Sequence, residues 1–212
     1  MSAQAQPRRS LWDRLVGLAV VLGGFAKFFA FFVSFAAYSL WFGSWQFGLG
    51  FVLLILVHEL GHVAEARRQG LPVSLPTFIP FIGAFVTVRQ ANVLPWRSAL
   101  VSLAGPFVGG LGAAAVWAVG SARDTTWLVV LANIGFLLNA FNLLPIGFLD
   151  GGTVWRAVTD TWHRPRIRFE NDVPVEALAP DRERATLVGT AYVLLAAALV
   201  GGLLATRHSG ML

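Results

Sequence analysis

His58, Glu59 and His62 stand at a spacing that does chemistry. On a helix, residues four apart lie one turn apart on one face, so two imidazoles at this spacing can bind one zinc ion. Glu59, beside the first histidine, can act as general base on a water held at that ion. This is the mechanical content of an H-E-x-x-H segment, here His-Glu-Leu-Gly-His. Cysteine is absent, so any metal site must draw on His, Asp or Glu.

Two histidines do not complete a catalytic zinc site, which needs three protein ligands and an open position. The third ligand has five candidates: Glu65, His163, His208, Asp150 and Asp160. Glu65 shares the histidine face but lies a turn further on, where Arg68 or solvent is its natural partner. His163, His208 and Asp160 belong to polar, basic segments. Asp150 differs, because it stands inside an apolar stretch, ~9 Å of helix rise before Arg156. A buried carboxylate needs a partner, and zinc would supply one. A competing reading makes Asp150 the N-cap of a helix that restarts after a Pro/Gly break, and one carboxylate can fill both roles. Asn142, just before the break, either hydrogen-bonds a substrate or satisfies freed helix carbonyls and bridges helices, as Asn133 and Asn139 would.

The elements that must position these groups are apolar. Of 212 residues, 56% are hydrophobic and 13% charged, against about 25% charged in an ordinary soluble domain. Runs of about 20 apolar residues suffice to cross a hydrocarbon core. The reading is a single membrane-embedded domain over residues 1–212, all-α and polytopic, with about five transmembrane helices. The spans fall within Leu15–Phe42 (interrupted by Lys27), Trp45–Ala66, Ser98–Gly120, Trp127–Leu144 and Ala185–Ala205. The part of the first span before Lys27 either lies in the interface or extends the helix. A short helix is expected over 151–159, then a polar cytoplasmic loop over 160–184. The segment from Gln69 to Arg97 is apolar but holds four prolines, so it is no single straight helix. No cleaved signal peptide and no soluble accessory domain are expected.

Fifteen of the sixteen basic residues are arginine, and they cluster in alternate inter-span segments. The bias of basic residues toward cytoplasmic loops therefore predicts a cytoplasmic N-terminus and an external C-terminus in the cell membrane. The net charge of +5 reflects this topology rather than nucleic-acid binding. Arg67 and Arg68 mark the end of the second span, so His58 lies ~14 Å of helix rise from that end. An isolated ionisable side chain at such depth costs roughly 2.5 to 3.5 kcal/mol, and intramembrane ionisable residues are functional by default.

Two motifs in order carry a resemblance. The segment "HELGH" at 58–62 followed by "NLLPIGFLDG" at 142–151 resembles the site-2 proteases, intramembrane zinc metalloproteases whose second motif has the form N-x-x-P-x-x-x-x-D-G. Asn142, Pro145, Asp150 and Gly151 match it position by position. "SLAGP" at 102–106 and "FIPFIGAFV" at 78–86 are similar to two further elements of the family, the latter a re-entrant β-hairpin after the first catalytic helix. The resemblance implies zinc ligation by His58, His62 and Asp150, acid/base catalysis by Glu59, and a substrate contact at Asn142. Many members of that family carry a PDZ or CBS domain, and this chain is expected to be a compact form with neither.

The function expected is hydrolysis of the transmembrane segments of membrane proteins, with the bilayer and a membrane-protein substrate as partners. The hairpin would offer an edge to an unwound substrate, placing Phe81, Gly83 and Phe85 against it. Two other classes stay open. A transporter or proton relay would also place His, Glu and Asp in the membrane, although spans three and five carry no charged residue in their interiors. A non-catalytic metal binder would keep the ligands but has no need of Glu59.

Overall fold

In a computed structural model, the chain is described over residues 11–88, 93–163, 166–170, 173–178 and 181–208. Six helices occur among these residues: α1 (Leu11–Phe42), α2 (Trp45–Arg68), α3 (Pro95–Ala122), α4 (Thr126–Asn142), α5 (Asp150–His163) and α6 (Arg182–His208). Two antiparallel hairpins complete the fold: β1 (Thr77–Ile79) with β2 (Gly83–Phe85), and β3 (Arg166–Glu170) with β4 (Val173–Leu178). Four helical segments are long and apolar enough to cross a membrane: Val21–Phe42 of α1, α2, α3 and α6. The fourth expected span, Trp127–Leu144, corresponds to α4, which has 17 residues and stops at Asn142.

Lys27 does not interrupt the first helix, which runs unbroken from Leu11. Its Nζ instead donates to the Leu75 carbonyl at 2.9 Å, so the ammonium partners a backbone oxygen at the approach to the first hairpin. The charged group and a loop carbonyl thereby satisfy each other, which removes the reason for a break.

The first hairpin stands between α2 and α3, where four prolines excluded a straight helix. Thr77 faces Phe85, Phe78 faces Ala84 and Ile79 faces Gly83. Its turn needs left-handed backbone, with φ +64° at Phe81 and +123° at Gly83. Glycine takes such values without a Cβ penalty, whereas Phe81 is held there by its turn. A bridge from Val73 to Val88 extends the pairing beyond the strands. The N–H of Thr87 donates to Ser74 Oγ at 3.0 Å and is therefore committed within the hairpin. Phe31 packs edge-on against Phe78, and Tyr38 and Trp41 meet Phe81, which seats the hairpin on α1.

The described residues of 160–184, expected to be a polar loop, have regular structure. They hold the end of α5, strands β3 and β4, and the start of α6. The alternation in Arg-Ile-Arg-Phe-Glu has the period of two that suits a strand; the charges around it masked that signal. α5 likewise runs to His163 rather than ending near Thr159.

The main core joins α3, α4, α5 and α6 through Leu103, Ala113, Phe136, Leu143, Val154, Val188 and Leu199. A second cluster, Tyr38, Val52, Ile55 and Phe78, ties α1, α2 and β1 together. Asn133 bridges α4 to α6 through Thr206 Oγ1 at 2.6 Å and the Leu203 carbonyl at 3.2 Å.

Candidate metal centre

α2 presents His58 and His62 one turn apart, both buried, with Glu59 buried beside them. Asp150, the first residue of α5, reaches the same point from the opposite side. His58 Nε2 lies 3.1 Å from His62 Nε2, and Asp150 Oδ2 lies 3.3 and 3.4 Å from the two nitrogens. Among the described residues, these three form a group with one ligand atom each, all within 4.8 Å of one another. Ligands ~2.0–2.1 Å from a tetrahedral zinc ion stand ~3.3 Å apart, so the observed triangle has the size of one tetrahedral face.

The hydrogen bonds behind the triangle strengthen that fit. His62 Nδ1 donates to the Val101 carbonyl at 2.8 Å. His58 Nδ1 donates at 2.8 Å to Asn139 Oδ1, whose identity as oxygen follows because Asn139 Nδ2 donates to the Gly135 carbonyl at 2.7 Å. With both Nδ1 atoms acting as donors, a neutral imidazole presents its Nε2 lone pair inward. Two lone pairs and a carboxylate oxygen thus converge within 3.4 Å, which repels unless a metal ion or a proton lies between them.

Asp150 occupies the first turn of α5 rather than the cap position, and the Leu149 carbonyl accepts from the Thr153 N–H at 3.2 Å. Its carboxylate faces the histidines, so capping does not account for it. The irregular 143–149 segment that delivers it is well satisfied. Tyr192 Oη on α6 donates to the Leu143 carbonyl at 2.5 Å, and Arg156 Nη1 donates to the Gly147 carbonyl at 3.0 Å. Irregular backbone among apolar helices persists only with such partners.

Close packing by α3 makes the convergence possible. A Cβ on Gly105 would run into the His62 imidazole, and one on Gly109 would run into the Asn139 amide. Core packing is thus the role of these glycines. Pro106 lies inside α3 and offers no N–H to the Ser102 carbonyl one turn back.

The three groups, with Glu59, open onto a cavity of about 930 Å³. Its walls include Phe81, Gly83, Phe85 and Asn142, all expected to meet substrate, together with Tyr38, Phe141 and Phe148. β2 therefore borders the cavity, while β1 packs on α1. Asn142 Nδ2 donates to the Leu138 carbonyl at 3.2 Å, so the amide also serves the helix end.

The other candidate ligands are elsewhere. Glu65 takes two bonds from Arg68, at 2.6 and 2.8 Å. His163 and His208 are exposed and bond the Thr159 and Leu204 carbonyls, and Asp160 is outside the group. For Asn139 the sequence predicts a bond to a helix carbonyl or a bridge between helices, and both occur, but not that the bridge ends on a histidine. Its place one turn before Asn142 on an apolar helix was the available signal, but which histidine it would meet depends on the packing of α4 against α2.

Comparison with known proteins places the chain in a family. The family model described as peptidase family M50 matches residues 46–124 and 121–174. The chain belongs to peptidase family M50, the site-2 protease family. A protein of Arabidopsis thaliana named probable zinc metalloprotease EGY1, chloroplastic, is 31% identical over 150 residues, covering 49% of this chain and 27% of that protein. A putative zinc metalloprotease of Synechocystis is 32% identical over 123 residues, 54% of this chain and 32% of the relative. The putative zinc metalloprotease Rip3 of Mycobacterium tuberculosis is 32% identical over 136 residues, 58% and 34% respectively. The M50 chain thus spans about a third or less of the length of these relatives.

Proposed function

We propose that this M50 chain is an intramembrane zinc endopeptidase that cuts membrane-spanning segments of proteins, as in regulated intramembrane proteolysis. The observation that carries the reading is the convergence of His58 Nε2, His62 Nε2 and Asp150 Oδ2 beside buried Glu59, on the wall of a cavity bordered by a strand. His58, His62 and Asp150 hold the metal. Zinc bound there lowers the pKa of a water and polarises the scissile carbonyl.

Glu59 takes a proton from the attacking water and delivers it to the leaving nitrogen. Its burial among apolar helices keeps bulk solvent from competing for that proton. A helical substrate hides its carbonyls in its own hydrogen bonds and must unwind before attack. β2 belongs to a two-stranded sheet, and its outer edge offers strand-type hydrogen bonds to the unwound segment. Phe81, Gly83, Phe85 and Asn142 contact that segment from the cavity wall.

The protein is multi-pass in the cell membrane, with a cytoplasmic N-terminus and an external C-terminus. The chain crosses with α1, α2, α3 and α6, and a further crossing is shared between α4 and α5. That division accounts for the 17-residue length of α4: its C-terminus lies at the depth of the metal centre, and α5 carries the chain onward.

The test is cleavage of a tagged membrane-protein substrate by purified protein in detergent or vesicles, with and without a zinc chelator, beside metal analysis. Near-unit zinc and chelator-sensitive cleavage are expected. Glu59→Gln should keep zinc and lose cleavage by several orders of magnitude, because it acts on water and not on the metal. Zinc binding with no cleavage of any membrane substrate would leave a metal-binding protein and refute the protease.

A further inference from the structure

We propose that Asn139 is a positioning residue for the metal centre: its side-chain oxygen fixes the tautomer and ring orientation of His58. The inference rests on His58 being a metal ligand and assigns a role to a residue outside both sequence motifs.

Asn139 is fully buried, with a relative exposure of 0%. Its amide is spoken for at both ends. Nδ2 donates to the Gly135 carbonyl at 2.7 Å, which obliges Oδ1 to face the other way, and Oδ1 stands 2.8 Å from His58 Nδ1. Reversing the amide would set an N–H against an N–H at one end and a carbonyl against a carbonyl at the other. The orientation is therefore determined, and with it the proton on His58 Nδ1.

A metal-binding histidine generally donates its other ring N–H to an acceptor that holds the ring and raises its basicity. His62 has such an acceptor in a backbone carbonyl, that of Val101. His58 has it in a side chain, so its acceptor can be changed without rebuilding the backbone. The amide is also a neutral acceptor. A carboxylate here would add a third acidic group to a buried site that already holds Glu59 and Asp150. Gly109 closes the arrangement: a Cβ there would meet Asn139 Oδ1, Cγ and Nδ2, so α3 braces the amide against His58.

The experiment measures zinc affinity by chelator competition and the visible spectrum of the cobalt-loaded protein, on full-length chain in detergent. Asn139→Leu keeps the approximate volume and removes the acceptor, and should weaken zinc tenfold to a hundredfold while altering the cobalt spectrum. Asn139→Asp keeps an acceptor for His58 Nδ1 but loses the bond to the Gly135 carbonyl, and should hold zinc more tightly than Asn139→Leu. Gly109→Ala should weaken zinc in the wild-type background and add little to Asn139→Leu, since both act through one amide. If Asn139→Leu does not fold, Asn139→Asp and Gly109→Ala decide the matter. Wild-type zinc affinity in Asn139→Leu would overturn the assignment, as would zinc loss in Asn139→Asp equal to that in Asn139→Leu. A wild-type chain that binds no zinc would remove the metalloprotease reading itself, and this inference with it.

Discussion

Gly105→Ala sets one methyl group against the ring of a proposed metal ligand, His62, and should disable metal binding there. A Cβ at Gly105 would meet three atoms of the His62 ring: Nε2, Cε1, and Cδ2 at 2.9 Å. Non-bonded carbon atoms settle at about 3.5–4.0 Å, so the ring or the helix must retreat by more than about 1 Å. His62 cannot swing away freely, because its Nδ1 is bonded to the Val101 carbonyl on the same helix that carries Gly105. Moving α3 back disturbs both contacts together. Overpacking of this kind costs typically 1–3 kcal/mol of stability, and a misplacement of about 1 Å can cost on the order of a hundredfold in catalysis. Gly112, on the same helix, is the control: its Cβ would lie 3.1 Å from Val57 Cγ1, a contact relieved by a few tenths of an ångström. The assay is zinc content and cleavage of a membrane substrate for both variants, with thermal stability measured alongside. The expected result is a hundredfold loss of cleavage and weakened zinc retention in Gly105→Ala, with Gly112→Ala near wild type. Equal activity in the two variants would refute the claim that α3 sets the position of His62.

Three further predictions follow from the same geometry. Asp150→Ala should weaken zinc retention, as metal analysis after dialysis would reveal; full retention there with loss in His62→Ala would mean that the third ligand lies elsewhere. N–H groups alternate in direction along a strand, so of Ala84 and Phe85 one points its N–H into the hairpin and the other outward. Proline at the outward position should preserve zinc and sharply reduce cleavage of helical substrates; if neither proline affects cleavage, the segment is a linker and substrate is held elsewhere, for instance at Asn142. Topology reporters fused at Gly43, Ser121 and the C-terminus should read external and those at Gln69 and Pro165 cytoplasmic, and an internal C-terminus would change the number of crossings by one.

Much of the site was legible in the chain because it obeys local periodicity. His58 and His62 share a helix face by spacing alone, and Glu59 follows from adjacency. The long apolar runs of α2, α3 and α6 declare themselves, since membrane helices satisfy their own backbone. Asp150 was recognisable as a candidate from its depth, although spacing could not choose between cap and ligand. The tertiary structure adds a position: it sets the start of α5 against α2, with Oδ2 at 3.3 and 3.4 Å from the two Nε2 atoms, which supports the proposed ligand role.

Other features had no local signature. Whether the chain before Lys27 extends the first helix was left open, and the partner of Lys27, the Leu75 carbonyl, lies 48 positions away. The β3–β4 hairpin was hidden because its charges spoke for a loop more loudly than its short alternation spoke for strands. Asn139 was one polar residue among several on an apolar helix. Its use depends on the rotation of α4 and on Gly109 letting α3 come close. A sequence specifies which faces can meet through periodicity along one element, whereas a hydrogen bond across 81 positions is settled only when three helices pack.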